Sequence, residues 1–315
     1  MLCTNAAIQQ FVTKLWLHIG TLKDPSGSLP YGADSKAAGQ VKEAVVAVIV
    51  LYVYPVSDPS VLRNLIDAAG GYEPFVMSAL RYIRWFGRNI AAIPRTRAIL
   101  EFLGPDFLPI LATLVSGLST SIKFIRLVSA ADLTCREALI LHGAPANAVT
   151  AMFQAWPTVA VMREDTPDEN RVTVNASEMV EEGFNYMSLA LLQSKVPILA
   201  VCQMLNAGFI ELVLHAGYRC PPLACGVLMV IPRFFMYYKV LKCFQDALKE
   251  TGDDTNRLQF LAARDQELRR SWSSVHRSAL QILDICDKTS ALPFYELLCA
   301  NAEVRLGCEL VSVRP

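Results

Sequence analysis

VCQMLNAGFIELVL, residues 201–214, decides the fold: an apolar helical stretch runs into Gly208 and a second apolar stretch starts directly after it. The same junction recurs in LIDAAGGYEPFV (65–76) around Gly71, AILEFLGPDFLPIL (98–111) around Gly104 and ALILHGAPANAV (138–149) around Gly143. Glycine accepts the left-handed backbone that the position after a last helical turn needs, and a proline just beyond it starts the next helix. Successive junctions lie 33, 39 and 65 residues apart, the last being close to two steps with a loop between. Repeats of roughly 35 to 45 residues belong to helical solenoids of the armadillo and HEAT kind. The expected fold is therefore all-α, a right-handed superhelix of helix pairs forming a single α-solenoid over 1–290. Residues 291–315 lack apolar periodicity and are expected to be a frayed tail.

Outward from these junctions, Ile8, Phe11, Val12, Leu15, Trp16 and Ile19 recur at three- and four-residue spacing and predict a first helix over 5–23. DPSGSLPYGADS is turn chemistry. A helix over 35–54 follows, and DPSVLRNLIDAAGG is a capped helix ending at glycine. Helices are then expected at 73–92, 94–103, 105–118, 120–142 and 145–155. REDTPDENRVTVNASEMVEEG (163–183) holds seven acids against two arginines and reads as an exposed acidic loop inserted between repeats. Helical patterning resumes over 184–249. The more polar stretch 254–288, with Arg264, Glu267, Arg269 and Arg270 against Leu258, Leu261 and Leu268, suits the terminal cap that a solenoid needs.

The 315 residues are 53% hydrophobic, ample for a large core, and 29 basic residues balance 29 acidic ones. A chain of zero net charge has no overall field to recruit nucleic acid or an anionic membrane, so an electrostatic partner must use a local patch. Mean hydropathy is +0.34, which raises membrane insertion. The apolar runs 44–57, 107–122 and 196–210 fall short of the roughly 20 residues that a span needs. The uncharged stretch 138–162 contains His142, Gly143, Pro145 and Pro157 and reads as two shorter helices, so no membrane is expected. The N-terminus MLCTNAAIQQFVTKLW has no early positive charge before a long apolar core and does not read as a secretory signal. Nine cysteines without framework spacing point to free thiols in a reducing compartment, cytoplasmic or nuclear.

For chemistry, the G-x-S-x-G elbow, the Walker A loop, H-E-x-x-H and the dinucleotide fingerprint are all absent, and the four histidines His18, His142, His215 and His276 stand beside no nucleophile motif. No catalytic residue is nominated and the chain is read as a non-enzyme. Cys202, His215, Cys220 and Cys225 are ligand types that zinc accepts, but structural sites usually present cysteine pairs two to four residues apart, and buried free cysteines are ordinary core residues. They stand as weak metal candidates, with no cofactor expected. The patch of interest is RYIRWFGRNIAAIPRTR (81–97). Arg81, Arg84 and Arg88 fall on one helix face at i, i+3 and i+7, with Trp85 beside them and Arg95 and Arg97 beyond. No acid interrupts the stretch between Glu73 and Glu101. Arginine forks beside a tryptophan are residue types that anchor interfaces. The bland alternative is a solvated arginine ladder with Trp85 in the core. The functional one is a docking site for an unknown protein or peptide, acidic or phosphorylated, with the chain's own acidic loop as one candidate.

KLWLHIGTL, SLPYGADSKAAGQVKEAVVAVIVLYVYPVSDPSVL, ALRYIRWFGRNIAAIPRTRAILEFLGPDFL, REALILHGAP and VLMVIPRFFMYYKVLKCFQDAL together resemble a family of proteins from mushroom-forming fungi that carry a long helical region followed by a C-terminal MYND-type zinc finger. The resemblance implies a shared helical fold and, in relatives that keep the finger, zinc binding and recruitment of short, often proline-containing peptides. This chain departs where the finger would begin: Cys299 stands where a first ligand falls, but Ala302, Glu303 and Val304 occupy the expected partner region, Cys308 is the only other cysteine there and no histidine follows. The chain is thus expected to be the helical part of such a protein with its finger missing or incomplete, and zinc is not carried over to it.

Overall fold

The computed structural model describes residues 6–21, 55–93, 107–162, 165–250 and 265–289. Among these there are twelve α-helices and no strand. The helix expected at 35–54, the helix at 94–103, the Gly104 junction and the tail 291–315 lie outside them. The chain packs as two compact units, Met1–Leu189 and Ala190–Pro315, a division that falls inside the stretch read from sequence as one.

In the first unit, α1 spans Ala6–Thr21, α2 Pro59–Ala69, α3 Tyr72–Ala91, α4 Phe107–Ala131, α5 Leu133–Leu141 and α6 Ala144–Val159, and α7, Pro167–Leu192, belongs to it up to Leu189. Helix α2 is capped by Asp58, whose carboxylate accepts from the Ser60 amide at 2.8 Å. It ends at Gly70 (φ 87°), where the Gly71 amide returns to the Ile66 carbonyl at 2.9 Å. That is the closing hydrogen bond of a left-handed helix terminus. Gly71 (φ 118°) then opens α3 without a spacer, and Gly143 (φ 82°) joins α5 to α6 in the same way.

Helix α3 packs against α1, α2, α4, α5 and α6. Phe75, Ala79, Ile83, Phe86, Gly87 and Ile90 lie on its buried side. Two glycines let its neighbours come close. A Cβ on Gly87 would meet Ala151 of α6 at 2.8 Å from its Cβ and 2.9 Å from its Cα, and a Cβ on Gly117 of α4 would overlap the Phe86 ring. An aromatic cluster holds the α1 side: Trp16 stacks on Tyr82 at 5.6 Å and lies 5.6 Å from Phe75 and 5.9 Å from Phe124. The Tyr82 hydroxyl donates to the Trp16 carbonyl at 2.6 Å, so the phenol is buried with its polar atom satisfied.

Three expectations are corrected. Residues 167–183, read as an exposed loop, form the greater part of the 26-residue α7. Its acids hid a helix start: the Glu169 amide donates to Thr166 Oγ1 at 3.2 Å, Glu169 turns back to the Asp165 amide at 3.0 Å, and Pro167 takes the first position. Its apolar residues Val172, Ala176, Met179, Val180, Phe184 and Met187 are all buried, in a helical stripe. The break expected near residue 119 is absent, because α4 runs on to Ala131 and ends where Asp132 turns extended (ψ 123°) to accept from the Cys135 amide at 2.7 Å. That lengthening also makes α4 a 25-residue helix long and apolar enough to cross a membrane by length and composition, with a window mean hydropathy of 1.5. Of that window 61% is buried inside the protein, as in the core helix of a bundle. Lys123 and Arg126 near its end pair with α7: Lys123 Nζ donates to Glu178 at 2.9 Å, and Arg126 Nε to Glu182.

In the second unit, α8 spans Pro197–Asn206, α9 Phe209–Ala216, α10 Pro221–Val230, α11 Tyr238–Glu250 and α12 Gln266–Thr289. Gly208 (φ 87°) bends α8 into α9, the chain turning by 72° there. Helix α8 packs on α11, and α10 and α11 on α12. Phe244 of α11 links Phe235 (5.0 Å) to Trp272 of α12 (6.3 Å). On α12 Leu268 is buried and Arg269 and Arg270 are exposed, while Leu258, Leu261 and Arg264 of the expected cap lie outside the described residues.

Gly87→Ala is expected to destabilise the protein by about 1–3 kcal/mol, the cost of forcing a methyl into a packed helix contact, despite alanine's better helix propensity. Urea unfolding followed by circular dichroism measures it. An unchanged or raised midpoint would mean that the α3 and α6 contact is looser than described.

Candidate functional site

At 100° per residue, Arg81, Arg84 and Arg88 fall within an arc of about 60° on α3. The arc lies opposite the face carrying Ile83, Phe86 and Ile90. Burying that face therefore turns the arginines outward: Arg81 and Arg88 are exposed, and Arg84 and Trp85 are half-buried. The Trp85 ring meets Phe86 edge-on at 4.7 Å, and its carbonyl accepts from Asn89 Nδ2 at 2.8 Å. Trp85 thus bridges the arginine face and the core. Arg95 and Arg97 lie outside the described residues.

Among the described residues no carboxylate pairs with Arg81, Arg84 or Arg88. Burial, with the Arg88 and Arg81 charges beside it, pushes the Arg84 guanidinium below its usual range, and its buried Nε has no hydrogen-bond partner. This is a repulsive, partly desolvated cluster of cations, and an anion with several acceptor oxygens is its chemical complement. Within the chain's own acidic segment, Glu178 and Glu182 pair with Lys123 and Arg126, Lys123 Nζ also lying 3.6 Å from Glu182, and Glu169 is buried in the cap of α7.

The four metal candidates are distributed over several elements. Cys202 sits in α8, and His215 in α9 lies 3.5 Å from Glu211. Cys220 is in the turn before α10, and Cys225 in α10 is buried and hydrogen-bonded to Ser271. Among the described residues no group of three or more His, Cys, Asp and Glu side chains is placed to hold one metal ion. Cys299 and Cys308 lie outside the described residues. His276 stacks on Trp272 at 5.5 Å, and burial lowers its pKa. His142 is half-buried at the end of α5, and His18 lies on α1. Sequence reasoning passed over Cys243 of α11, a half-buried thiol that hydrogen bonding from Cys202 holds below its usual range. The signal for it is faint, since the two lie 41 residues apart and share no motif.

Comparison with family models, with curated proteins and with solved structures gives no match to this chain.

Arg84→Met keeps the stem and removes the desolvated charge, so it is expected to leave stability unchanged or raise it by up to about 1 kcal/mol, with the gain shrinking as salt screens the repulsion in the parent. Thermal unfolding at low and high salt reads this. A clear loss of stability at both would show that Arg84 serves the fold.

Proposed function

We propose that this chain is a non-enzymatic helical-repeat scaffold for protein–protein interaction, an armadillo/HEAT-like α-solenoid that receives an acidic or phosphorylated protein segment on Arg81, Arg84 and Arg88 of α3. The observation that carries the reading is the set of three guanidinium groups on one exposed face with no carboxylate partner among the described residues. Natural surfaces that concentrate like charge at a cost to stability do so where a ligand supplies the counter-charge. Trp85, half-buried at the edge of the set, offers a flat apolar contact of the kind that anchors interfaces. The glycine junctions at Gly70–Gly71, Gly143 and Gly208 support the repeat reading, since each ends one helix and starts the next without a loop. A reducing compartment, cytoplasm or nucleus, fits cysteines that among the described residues form no disulfide, and the lineage proposed is that of the helical region of the fungal MYND-type proteins. Zinc is no part of the assigned function.

Fluorescence anisotropy with a labelled acidic peptide, phosphorylated and unphosphorylated, tests the site. Arg81→Glu combined with Arg88→Glu changes only exposed side chains and is expected to weaken binding of the phosphorylated peptide at least tenfold, with affinity falling as salt rises. Equal binding by parent and variant would remove the arginine face from the reading. Small-angle scattering tests the architecture: a compact chain of this length has a radius of gyration of about 20 Å. A solenoid is expected to exceed that clearly, and a value at the compact limit would overturn it.

A further inference from the structure

Helix α12 buries one side only. Leu268, Trp272, Val275 and Ala279 form its buried stripe, and the Trp272 ring is held there by Phe244 of α11 at 6.3 Å and by His276 at 5.5 Å. At 100° per residue the opposite side carries Arg269, Ser273 and Arg277 at steps of four, with Arg270, Ser274 and Ser278 beside them at the same steps. These six side chains line one open groove of about 440 Å³. The arginines, Ser273 and Ser274 are exposed, and Ser278 is half-buried. The Ser278 hydroxyl donates to the Ser274 carbonyl at 2.9 Å, while the hydroxyls of Ser273 and Ser274 stand open to the groove. With a rise of about 1.5 Å per residue, Arg269 and Arg277 lie about 12 Å apart along the axis, and Arg270 falls between them.

The groove has one sign of charge. Residues 268–283 contain no Asp or Glu. Among the described residues no carboxylate pairs with Arg269, Arg270 or Arg277. Each guanidinium presents a planar fork of N–H donors, the geometry that matches phosphate oxygens best.

We propose that this groove binds a small molecule bearing clustered phosphates, an inositol polyphosphate free in solution or the same group as the head of a lipid. Three guanidinium forks and two hydroxyls within about two helical turns offer more donors than one phosphate accepts, so several phosphates on one compact body are the complement. The groove's volume lies in the range of small-ligand sites. A long polyanion fits less well: running along α12 it would meet Glu267 at one end and Asp284 at the other. The aromatic ring on which a nucleic-acid base would stack, Trp272, is on the buried side. The groove belongs to the second unit and is independent of the α3 arginines.

Isothermal titration of the full chain with inositol hexakisphosphate, and co-sedimentation with phosphatidylcholine vesicles carrying phosphatidylinositol bisphosphate, test the site and separate the two sources. The parent is expected to bind at least one of these probes, with affinity falling as salt rises. Binding of hexakisphosphate without sedimentation assigns a soluble ligand. Sedimentation with these vesicles, and not with phosphatidylserine vesicles of equal charge, assigns the lipid head. Arg270→Gln combined with Arg277→Gln changes only exposed side chains and is expected to weaken binding at least tenfold, whereas Arg81→Gln with Arg88→Gln on α3 is expected to change it by no more than about twofold. Failure here is thus separable from failure of the α3 site. Absence of binding to both probes at millimolar concentration, equal binding by the parent and the α12 variant, loss of binding in the α3 variant alone, or random-sequence single-stranded RNA bound as tightly as hexakisphosphate would each overturn the proposal. If the α12 variant loses its helical circular dichroism, phenylglyoxal labelling of the parent decides. Whichever probe binds is expected to protect Arg269, Arg270 and Arg277 in the mass-spectrometric map, and unchanged labelling of all three would overturn the assignment.

Discussion

The close approach of α3 to its neighbours at Gly87 and Gly117 is the constraint on which the first unit depends. A helix whose backbone lies against Ala151 on one side and whose Phe86 ring fills the space a Cβ on Gly117 would take has little freedom to rotate about its axis. Its rotational setting then decides everything else on it. Phe75 and Tyr82 are delivered to Trp16, and the tyrosine hydroxyl finds the one carbonyl that satisfies it. Arg81, Arg84 and Arg88, opposite Ile83, Phe86 and Ile90, are left on the outer side of the helix.

Charged side chains meet two different fates in this unit. Lys123 and Arg126 emerge from an apolar helix beside Glu178 and Glu182, and the four groups compensate one another across α4 and α7. Glu182 is buried there, accepts from Arg126 and has Lys123 Nζ 3.6 Å away, a geometry in which removing one partner leaves an uncompensated buried charge. The arginines of α3 have no such partners among the described residues and repel one another. Equal numbers of acids and bases over the whole chain conceal this local asymmetry, and it is the asymmetry that nominates an anionic ligand.

In the second unit, the same principle of helices meeting face to face acts on sulfur. Helix α8 packs on α11, and hydrogen bonding from Cys202 of α8, with Lys239 one turn away on Cys243's own helix and Asn206 of α8 adding to it, favours the ionised form of the Cys243 thiol against its burial. Cys225 and Cys135, held in drier or more acidic surroundings, are pushed the other way. Composition counts all of these as equivalent free cysteines; their neighbours make them chemically distinct.

What the sequence determined by itself was local. The left-handed glycines, the Asp58 cap, the helical class and the shared face of Arg81, Arg84 and Arg88 all follow from rules that reach no farther than one or two turns of chain. The start of α7 was equally legible in Thr166, Pro167 and Glu169, but the weight of acidic residues in 163–183 outvoted it. Tertiary structure decided the rest: that Glu178 and Glu182 of α7 answer Lys123 and Arg126 instead of the α3 arginines, and that Cys202, His215, Cys220 and Cys225 come together at no metal-holding group among the described residues. Each of these outcomes turns on side chains tens of residues apart, and spacing along a chain carries no information about which helix faces will be packed together.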